Sequence, residues 1–470
     1  MLTKLQKQTF DEPACDHNVN KKEAGCPKPI PGKVGGGCSF DGAYSSMLPI
    51  TDAAHLVHGP MGCLGNSWNN RGSGSSGPQL YRQAFITNFL NNDVVFGGEK
   101  KLYKAVKEIV ERHAPPAVFV YQTCVTAMIG DDLQALCKAA QEKTGTPVIP
   151  VESPGFIGTK NFGNRLTGEA LLARVIGTQE PATEHPFNIN LIGEFNIAGE
   201  FWQVLPLFEE VGIRIICTLS GDARYHEVAM MHKADINMMV CSKAMLNVAR
   251  KMNEKYDIPW FEGSFYGIEN TSQVFRELAK HFDNAELTAK IETMIAREIA
   301  QIKPEMDEIK TRLAGKKALL YTGGVKSWSM VSLIQETGME VVGTGVRKST
   351  DEDKARIAEL LPEDAELITQ GGATTLMDLY HAKGASLLLA GGRNQFTAVK
   401  AKIPFVHVNQ EREQAYAGFT GALDIARRCD KAVHSPAFKW AQSDFGDDFS
   451  DSVEGDKFES SETKLVEEAS

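Results

Sequence analysis

Short apolar runs alternate with longer stretches of helical periodicity from about residue 117 to residue 430, and this alternation restricts the fold more than any other feature. Residues 117–121 precede a helical pattern at 131–142, 189–192 precede 199–210, and 213–218 precede 223–231. The order repeats with 236–240 before 243–255, 317–322 before 329–337, 386–390 before a short helical stretch, and 405–408 before 414–427. A strand that reaches its neighbour through a helix must lie parallel to it, and such a sheet is covered on both faces. The expected class is therefore α/β, with three Rossmann-like domains, mainly parallel sheets and an extended N-terminal segment.

A chain of 470 residues has room for about three domains of roughly 150 residues each. The stretch TQEPATEHPFN at 178–188 carries two prolines, breaks the periodicity and reads as a linker. A long amphipathic pattern at 287–313 stops at Gly315, and KALLYTG then starts a new strand. These signals divide the chain into an extended segment at 1–45, α/β domains at 46–187, 188–315 and 316–435, and a tail at 436–470. GCPKPIPGKVGGGCSFDGA, in the first of these, reads as turn and extended chain.

Residues 441–470 hold ten acidic side chains against Lys457 and Lys464, so most of the formal net charge of −10 belongs to the tail. That composition predicts a disordered, solubilising segment. No basic stripe interleaved with aromatics is present, which argues against a nucleic-acid partner. No apolar run approaches the roughly 20 residues needed to cross a bilayer, and the first residues lack a signal-peptide core. The expectation is a cytoplasmic protein whose nine cysteines are thiols or metal ligands.

Ligands of parallel sheets collect outside the carboxyl ends of strands. That rule selects Cys124, Cys217, Cys241, Gly323, Gly324, Gly391, Gly392, Arg393 and Asn409. Cys38 in GGGCSFDG and Cys63 in HGPMGCLG have glycines on both sides, which permit the close approach a bulky iron–sulfur cube requires. Cys124, in VFVYQTCVTAMIGDD, follows a strand and precedes a helix, where backbone amides can donate to sulfur. Their spacings match no compact ferredoxin motif, and small buried hydrophobes are the competing reading for each. Three thiolates also leave a four-iron cube one ligand short, so the fourth comes from elsewhere in the chain or from a partner.

Cys241, in NMMVCSKAMLNVARK, closes a strand with Ser242 and Lys243 beside it to help hold an anion. Cys137 and Cys429 fall on apolar helix faces and read as core, while Cys15 and Cys26 are weaker metal candidates. His55 and His58 lie at i and i+3 and read as structural histidines beside the Cys63 loop. Lys326, Arg347, Lys348 and Arg393 follow strands and are candidates to neutralise an anionic ligand. Neither glycine pair completes a GxGxxG or GxxxxGK signature, so nucleotide binding has no sequence support.

Several long motifs then occur in order: GCPKPIPGKVGGGCSFDGA, HGPMGCLGNSWNNRG, YQTCVTAMIGDD, SPGFIGTKNFGNR, GEFNIAGEFW, CSKAMLNVARKM and PWFEGSFYGI. Over roughly residues 10–430 the chain resembles the iron–molybdenum cofactor biosynthesis scaffold subunits of the nitrogenase component 1 superfamily. The resemblance implies an α2β2 assembly with NifN and an interface [4Fe–4S] cluster held by Cys38, Cys63 and Cys124 together with one cysteine of NifN. It also implies a transient eight-iron precursor donated by NifB. Molybdenum and homocitrate are added to it with the ATP-dependent reductase NifH, and the FeMo-cofactor is released to apo-nitrogenase or a carrier.

Cys241 falls on the motif position of the cysteine that tethers the finished cofactor in catalytic relatives. In FVHVNQEREQAY, Asn409 stands where those relatives carry a second, histidine tether. An amide oxygen is a poorer iron ligand than imidazole, which suits a protein that gives its cluster away. Glu200, in GEFNIAGEFW, is either a helix-start carboxylate or a group that admits and positions the precursor; Arg393 is a further candidate contact. The resemblance implies a mainly non-catalytic scaffold, with reductase activity supplied by a partner. The alternative is a catalytic redox subunit of a nitrogenase-like or tetrapyrrole-reductase complex.

Overall fold

The computed structural model describes residues 37–68, 74–240, 245–322, 326–346, 349, 351–369, 372–409 and 413–441. Cys15, Cys26, Cys241, Ser242, Lys243, Gly323, Gly324, Arg347, Lys348 and the acidic residues from 444 onward lie outside the described residues. The first unit runs α1 (Ser39–Met47), β1 (Ala54–His58), α2 (Met61–Trp68), β2 (Phe85–Ile86), α3 (Asn91–Phe96) and α4 (Glu99–His113). It continues with β3 (Val118–Gln122), α5 (Cys124–Met128), α6 (Leu133–Thr144), β4 (Val148–Val151) and α7 (Lys160–Arg174). All four strands are parallel, in the order β2-β1-β3-β4. Every residue of β1, β3 and β4 is buried, as a sheet covered on both faces demands.

The second unit holds β5 (Asn188–Ile192), α8 (Glu200–Val211), β6 (Arg214–Leu219), α9 (Tyr225–Met230), β7 (Ile236–Met239), α10 (Leu246–Tyr256), β8 (Trp260–Glu262), α11 (Ile268–Phe282) and the long α12 (Ala285–Leu313). Its parallel sheet has the order β6-β5-β7-β8. The third holds β9 (Lys317–Tyr321), α13 (Lys326–Glu336), β10 (Glu340–Gly345), α14 (Asp351–Leu360), β11 (Glu366–Ile368) and α15 (Ala373–Ala382). It ends with β12 (Leu387–Gly391), α16 (Gln395–Lys400), β13 (Phe405–Asn409), α17 (Gly418–His434) and α18 (Pro436–Ala441). The strand order β11-β10-β9-β12-β13 is doubly wound, reversing direction between β9 and β12. The three parallel sheets with their helices are the Rossmann-like α/β architecture that the alternation predicts.

Asn284 caps α12 by accepting from the Leu287 N–H at 2.9 Å, and the stripe Leu287, Ile291, Ile295, Ile302, Met306, Ile309 and Leu313, with half-buried Ile299 between Ile295 and Ile302, repeats at three- and four-residue spacing. That stripe joins one apolar core that includes Leu191 and Phe208 of the second unit and Leu320 and Val406 of the third. Each such side chain, fully buried, stabilises the fold by about 1.5–3 kcal/mol. Proximity of the second and third sheets is therefore fixed by α12, whose amphipathic pattern is visible in the sequence.

Two expectations fail at their boundaries. The tail at 436–470 opens with a helix, Pro436–Ala441, so the last α/β unit reaches past residue 435. The N-terminal segment is not extended through residue 45, because Ser39–Met47 is a helix with all nine residues buried. Its packing explains both the helix and its invisibility in the sequence. A side chain at Gly42 would overlap the Lys160 carbonyl oxygen, and one at Gly163 would overlap that of Ser39, so α1 and α7 meet backbone to backbone. The small polar residues are satisfied inside the protein: Ser39 Oγ donates to the Pro154 carbonyl at 2.5 Å and Ser46 Oγ to Asn164 Oδ1 at 2.8 Å. A helix buried all round has no polar face, and hence no amphipathic signature.

Candidate metal centre

The order β2-β1-β3-β4 reverses direction between β1 and β3, the position at which an open α/β sheet offers a crevice to a ligand. β1 leads into α2, whose first turn carries Cys63, and β3 leads into α5, which opens with Cys124. The carbonyl of His58 at the end of β1 accepts from Thr123 Oγ1 at 2.9 Å and Thr126 Oγ1 at 3.1 Å, tying the Cys124 helix to the Cys63 strand. Cys38 arrives from another direction. It precedes α1 and forms an isolated antiparallel bridge with Thr159, while the Ser39 N–H donates to the Gly158 carbonyl at 3.0 Å.

Gly155 shows how closely these thiols gather. A methyl group there would lie 3.0 Å from both Cys38 Sγ and Cys124 Sγ, so the two sulfurs are no more than about 6 Å apart. Burial pushes the Cys63 thiol above its ordinary range, and the proximity of Cys124 and Cys38 pushes it in the same direction. The three cysteines therefore form one site, although 25 and 61 residues separate them in the chain. Gly155 is a site residue that the sequence reading missed; its only signal there was membership of the SPGFIGTKNFGNR motif.

Among the described residues, no three His, Cys, Asp or Glu side chains converge tightly enough to hold a single metal ion. A tetrahedral ion bound to sulfur at about 2.3 Å needs its ligands about 3.8 Å apart. A four-iron cube spreads its thiolates over separate irons and needs a wider set. The all-thiol donor chemistry fits the cube, and the upper bound of about 6 Å between the Cys38 and Cys124 sulfurs is compatible with that wider set. Exposure fits as well: Cys38, Cys63 and Cys124 are all partly exposed, whereas Cys137, Cys217 and Cys429 are buried. The elements that carry these residues also hold exposed large apolar side chains: Met61, 53% exposed, at the start of α2, Met128, 78%, at the end of α5, and Phe156, 53%, next to Gly155. Exposed apolar groups of this size are a common feature of protein–protein contact surfaces.

The two nearby histidines are structural. His55 is fully buried; its Nε2 donates to the Ile50 carbonyl at 3.0 Å and its Nδ1 accepts from the Tyr121 hydroxyl at 2.7 Å, which needs only the neutral ring. Burial lowers its pKa to about 4, against the smaller opposing effect of the Ile50 carbonyl. His58 Nε2 meets Asp131 Oδ2 at 2.9 Å and its Nδ1 meets Thr87 Oγ1 at 3.2 Å. Asp131 also accepts from the Gly98 N–H, so the pair joins β1 to the start of α4.

The remaining candidates distribute over the second and third sheets. The second sheet reverses between β5 and β7. β5 is followed by α8, which Glu200 begins, and β7 ends two residues before Cys241. Glu200 is buried, and its Oε2 accepts from the Ala198 N–H at 2.8 Å, the helix-start role open to it in the sequence. In the third sheet Arg393 belongs to a 3-10 turn at Gly392–Asn394 directly after β12, and Asn409 ends the adjacent β13.

A protein-family model described as nitrogenase component 1 type oxidoreductase matches residues 38–434. The nitrogenase iron-molybdenum cofactor biosynthesis protein NifE of Rippkaea orientalis is 54% identical over 437 residues, which cover 92% of this chain and 93% of that protein. The protein so described from Klebsiella pneumoniae is 52% identical over 444 residues, with 92% and 96% covered. Among solved structures, nitrogenase Cp1 at pH 5 is similar with a TM-score of 0.80 at 27% identity, covering 94% of this chain and 100% of that one. No helix among the described residues is long and apolar enough to cross a membrane.

Proposed function

The chain belongs to the nitrogenase component 1 type oxidoreductase family, and from that membership we propose that it is a scaffold subunit on which the iron–molybdenum cofactor of nitrogenase is matured. Identity of 54% and 52% to cofactor-biosynthesis proteins, against 27% to a nitrogenase, favours assembly over dinitrogen reduction. The geometric observation that carries the reading is the partly exposed three-thiol site, with exposed apolar side chains on the elements that carry it. Cys38, Cys63 and Cys124 would hold three irons of a [4Fe–4S] cluster, and the fourth thiolate comes from a partner subunit, NifN, seated on Met61, Met128 and Phe156. When bound, such a cluster supplies a one-electron site. The protein's part is to present three thiolates in fixed positions, keep bulk water from them once the partner is docked, and leave room at Gly155.

The precursor cluster is cargo. We assign its tether to Cys241, with Glu200, Arg393 and Asn409 as further contacts, because these positions follow strands of the second and third sheets in the chain. A single thiolate tether, with a neutral amide at Asn409, favours release over retention. The three α/β units would then divide the work, the first holding the permanent cluster and the others enclosing the precursor. NifB as donor, NifH as reductase and source of molybdenum and homocitrate, and apo-nitrogenase or a carrier as acceptor complete the cycle. A cytoplasmic location follows from the need to keep thiol ligands reduced.

Strictly anaerobic isolation with the partner subunit, followed by iron, sulfide and molybdenum analysis and transfer to apo-nitrogenase, tests this function. The expected result is activation of apo-nitrogenase by the loaded complex and loss of that transfer in Cys241→Ala. Turnover of dinitrogen by the complex itself, with its reductase, would mean a catalytic subunit instead.

A further inference from the structure

We propose that the Asp41–Lys160 ion pair is a charge-balancing element of the thiol site, one that sets the reduction potential of a cluster bound by Cys38, Cys63 and Cys124. The inference rests on the reading of those cysteines as cluster ligands and adds two residues that touch neither the cofactor nor the precursor in that reading.

Location comes first. Asp41 lies in the first turn of α1, which begins directly after Cys38, and Lys160 is the first residue of α7, directly after the Thr159 that bridges Cys38. Gly37, the residue before Cys38, packs against both: a side chain there would overlap Asp41 Oδ2 and lie 3.5 Å from Lys160 Cδ. The pair thus sits against the backbone that presents the Cys38 thiolate.

Energetics come next. Lys160 Nζ donates to Asp41 Oδ2 at 2.7 Å, with the two side chains only 20% and 5% exposed. Stripping water from two charges costs about as much as their attraction returns, so a buried pair adds little net stability and an apolar pair of the same volume would pack as well. Stability therefore does not account for it. The second oxygen, Asp41 Oδ1, is buried with no hydrogen-bond partner among the described residues, which leaves the carboxylate's field incompletely quenched. A full positive and a full negative charge held in a medium of low dielectric act strongly on a nearby redox group, and cluster potentials follow local charge, hydrogen bonding and exposure.

The consequence has a sign. Removing the ammonium leaves an uncompensated negative charge, which disfavours adding an electron and moves the potential down. Removing the carboxylate charge makes the surroundings of the site more positive by one unit and moves the potential up. Removing both returns the site near its starting balance. Damage to packing has no reason to reverse sign between the two partners.

The experiment is potentiometric titration of the reduced-cluster paramagnetic resonance signal in the full chain isolated anaerobically with its partner subunit. Lys160→Met is expected to shift the midpoint to more negative values, Asp41→Asn to more positive ones, and the double variant to lie near wild type, with Lys160→Arg unshifted. Equal or same-direction shifts in the two single variants, with iron content intact, would overturn the proposal. Where a single variant fails to hold iron, the double variant decides: a retained cluster of near wild-type potential supports charge balance, and a lost cluster refutes it. A wild-type complex without a four-iron signal would instead refute the assignment of the three cysteines.

Discussion

Gly155→Ala separates a cluster site from three cysteines that happen to be neighbours. The new methyl carbon would stand 3.0 Å from Cys38 Sγ, 3.0 Å from Cys124 Sγ and 3.2 Å from Cys38 Cβ. Carbon atoms pack best at about 3.5–4.0 Å and sulfur is larger, so each sulfur contact is short by roughly half an ångström or more. Without a cluster, both thiols can turn about their Cα–Cβ bonds, and the cost stays near the lower end of the about 1–3 kcal/mol typical of overpacking. Iron removes that freedom. The same strain then weighs on the bound cluster, and about 1–3 kcal/mol corresponds to roughly a five- to 150-fold loss in retention. The assay is anaerobic reconstitution followed by chelator challenge, with iron and sulfide measured per chain and thermal unfolding of the cluster-free protein as control. A folded Gly155→Ala protein that resists chelator as wild type does would refute the geometry proposed for the thiol site.

Other expectations concern the scaffold around it. His55 has a folded pKa of about 4, below its ordinary 6.5, so its stabilising contribution is complete above pH 6.5 and declines as pH falls toward 4, by about 3 kcal/mol at most. Denaturant midpoints at pH 7.5 and 5 should differ less in His55→Gln than in wild type. Glu227 behaves oppositely: burial, chiefly, raises its pKa to about 7, so its contribution is full below the ordinary carboxylate range and is lost as pH rises through 7. Glu227→Gln, which can still accept from the Arg224 N–H as Oε2 does at 2.8 Å, should raise the melting temperature at pH 8.5 and leave it unchanged at pH 4. Asp131→Ala strands the Gly98 N–H and the His58 ring in a buried site and should cost about 3 kcal/mol in urea unfolding, with Asp131→Asn milder.

The parts of the fold that were legible in the sequence were those whose physics is local. Parallel βα units need apolar strands and one-sided helices, so β3, β5, β6, β7, β9, β12 and β13 all appear as runs, and α12 appears as a stripe. α1 was not legible because burial on every side removes the polar face that periodicity depends on, and Ser39 and Ser46 are satisfied by groups more than one hundred residues away. The thiol site was half legible. Glycine and strand-end contexts marked each cysteine separately, but their convergence depends on β1 and β3 being neighbours and on α1 meeting α7. Neither pairing is written in the spacing. Gly155 matters only through the space it leaves, which no single position in a sequence reveals.

The most direct test of the account is the iron content and resonance spectrum of the chain isolated anaerobically with its partner, after chelation has removed the labile precursor. The account predicts a persistent four-iron cluster in the complex that is lost in Cys38→Ala, Cys63→Ala and Cys124→Ala and kept in Cys241→Ala. Full retention of that cluster in the Cys63→Ala complex would contradict it.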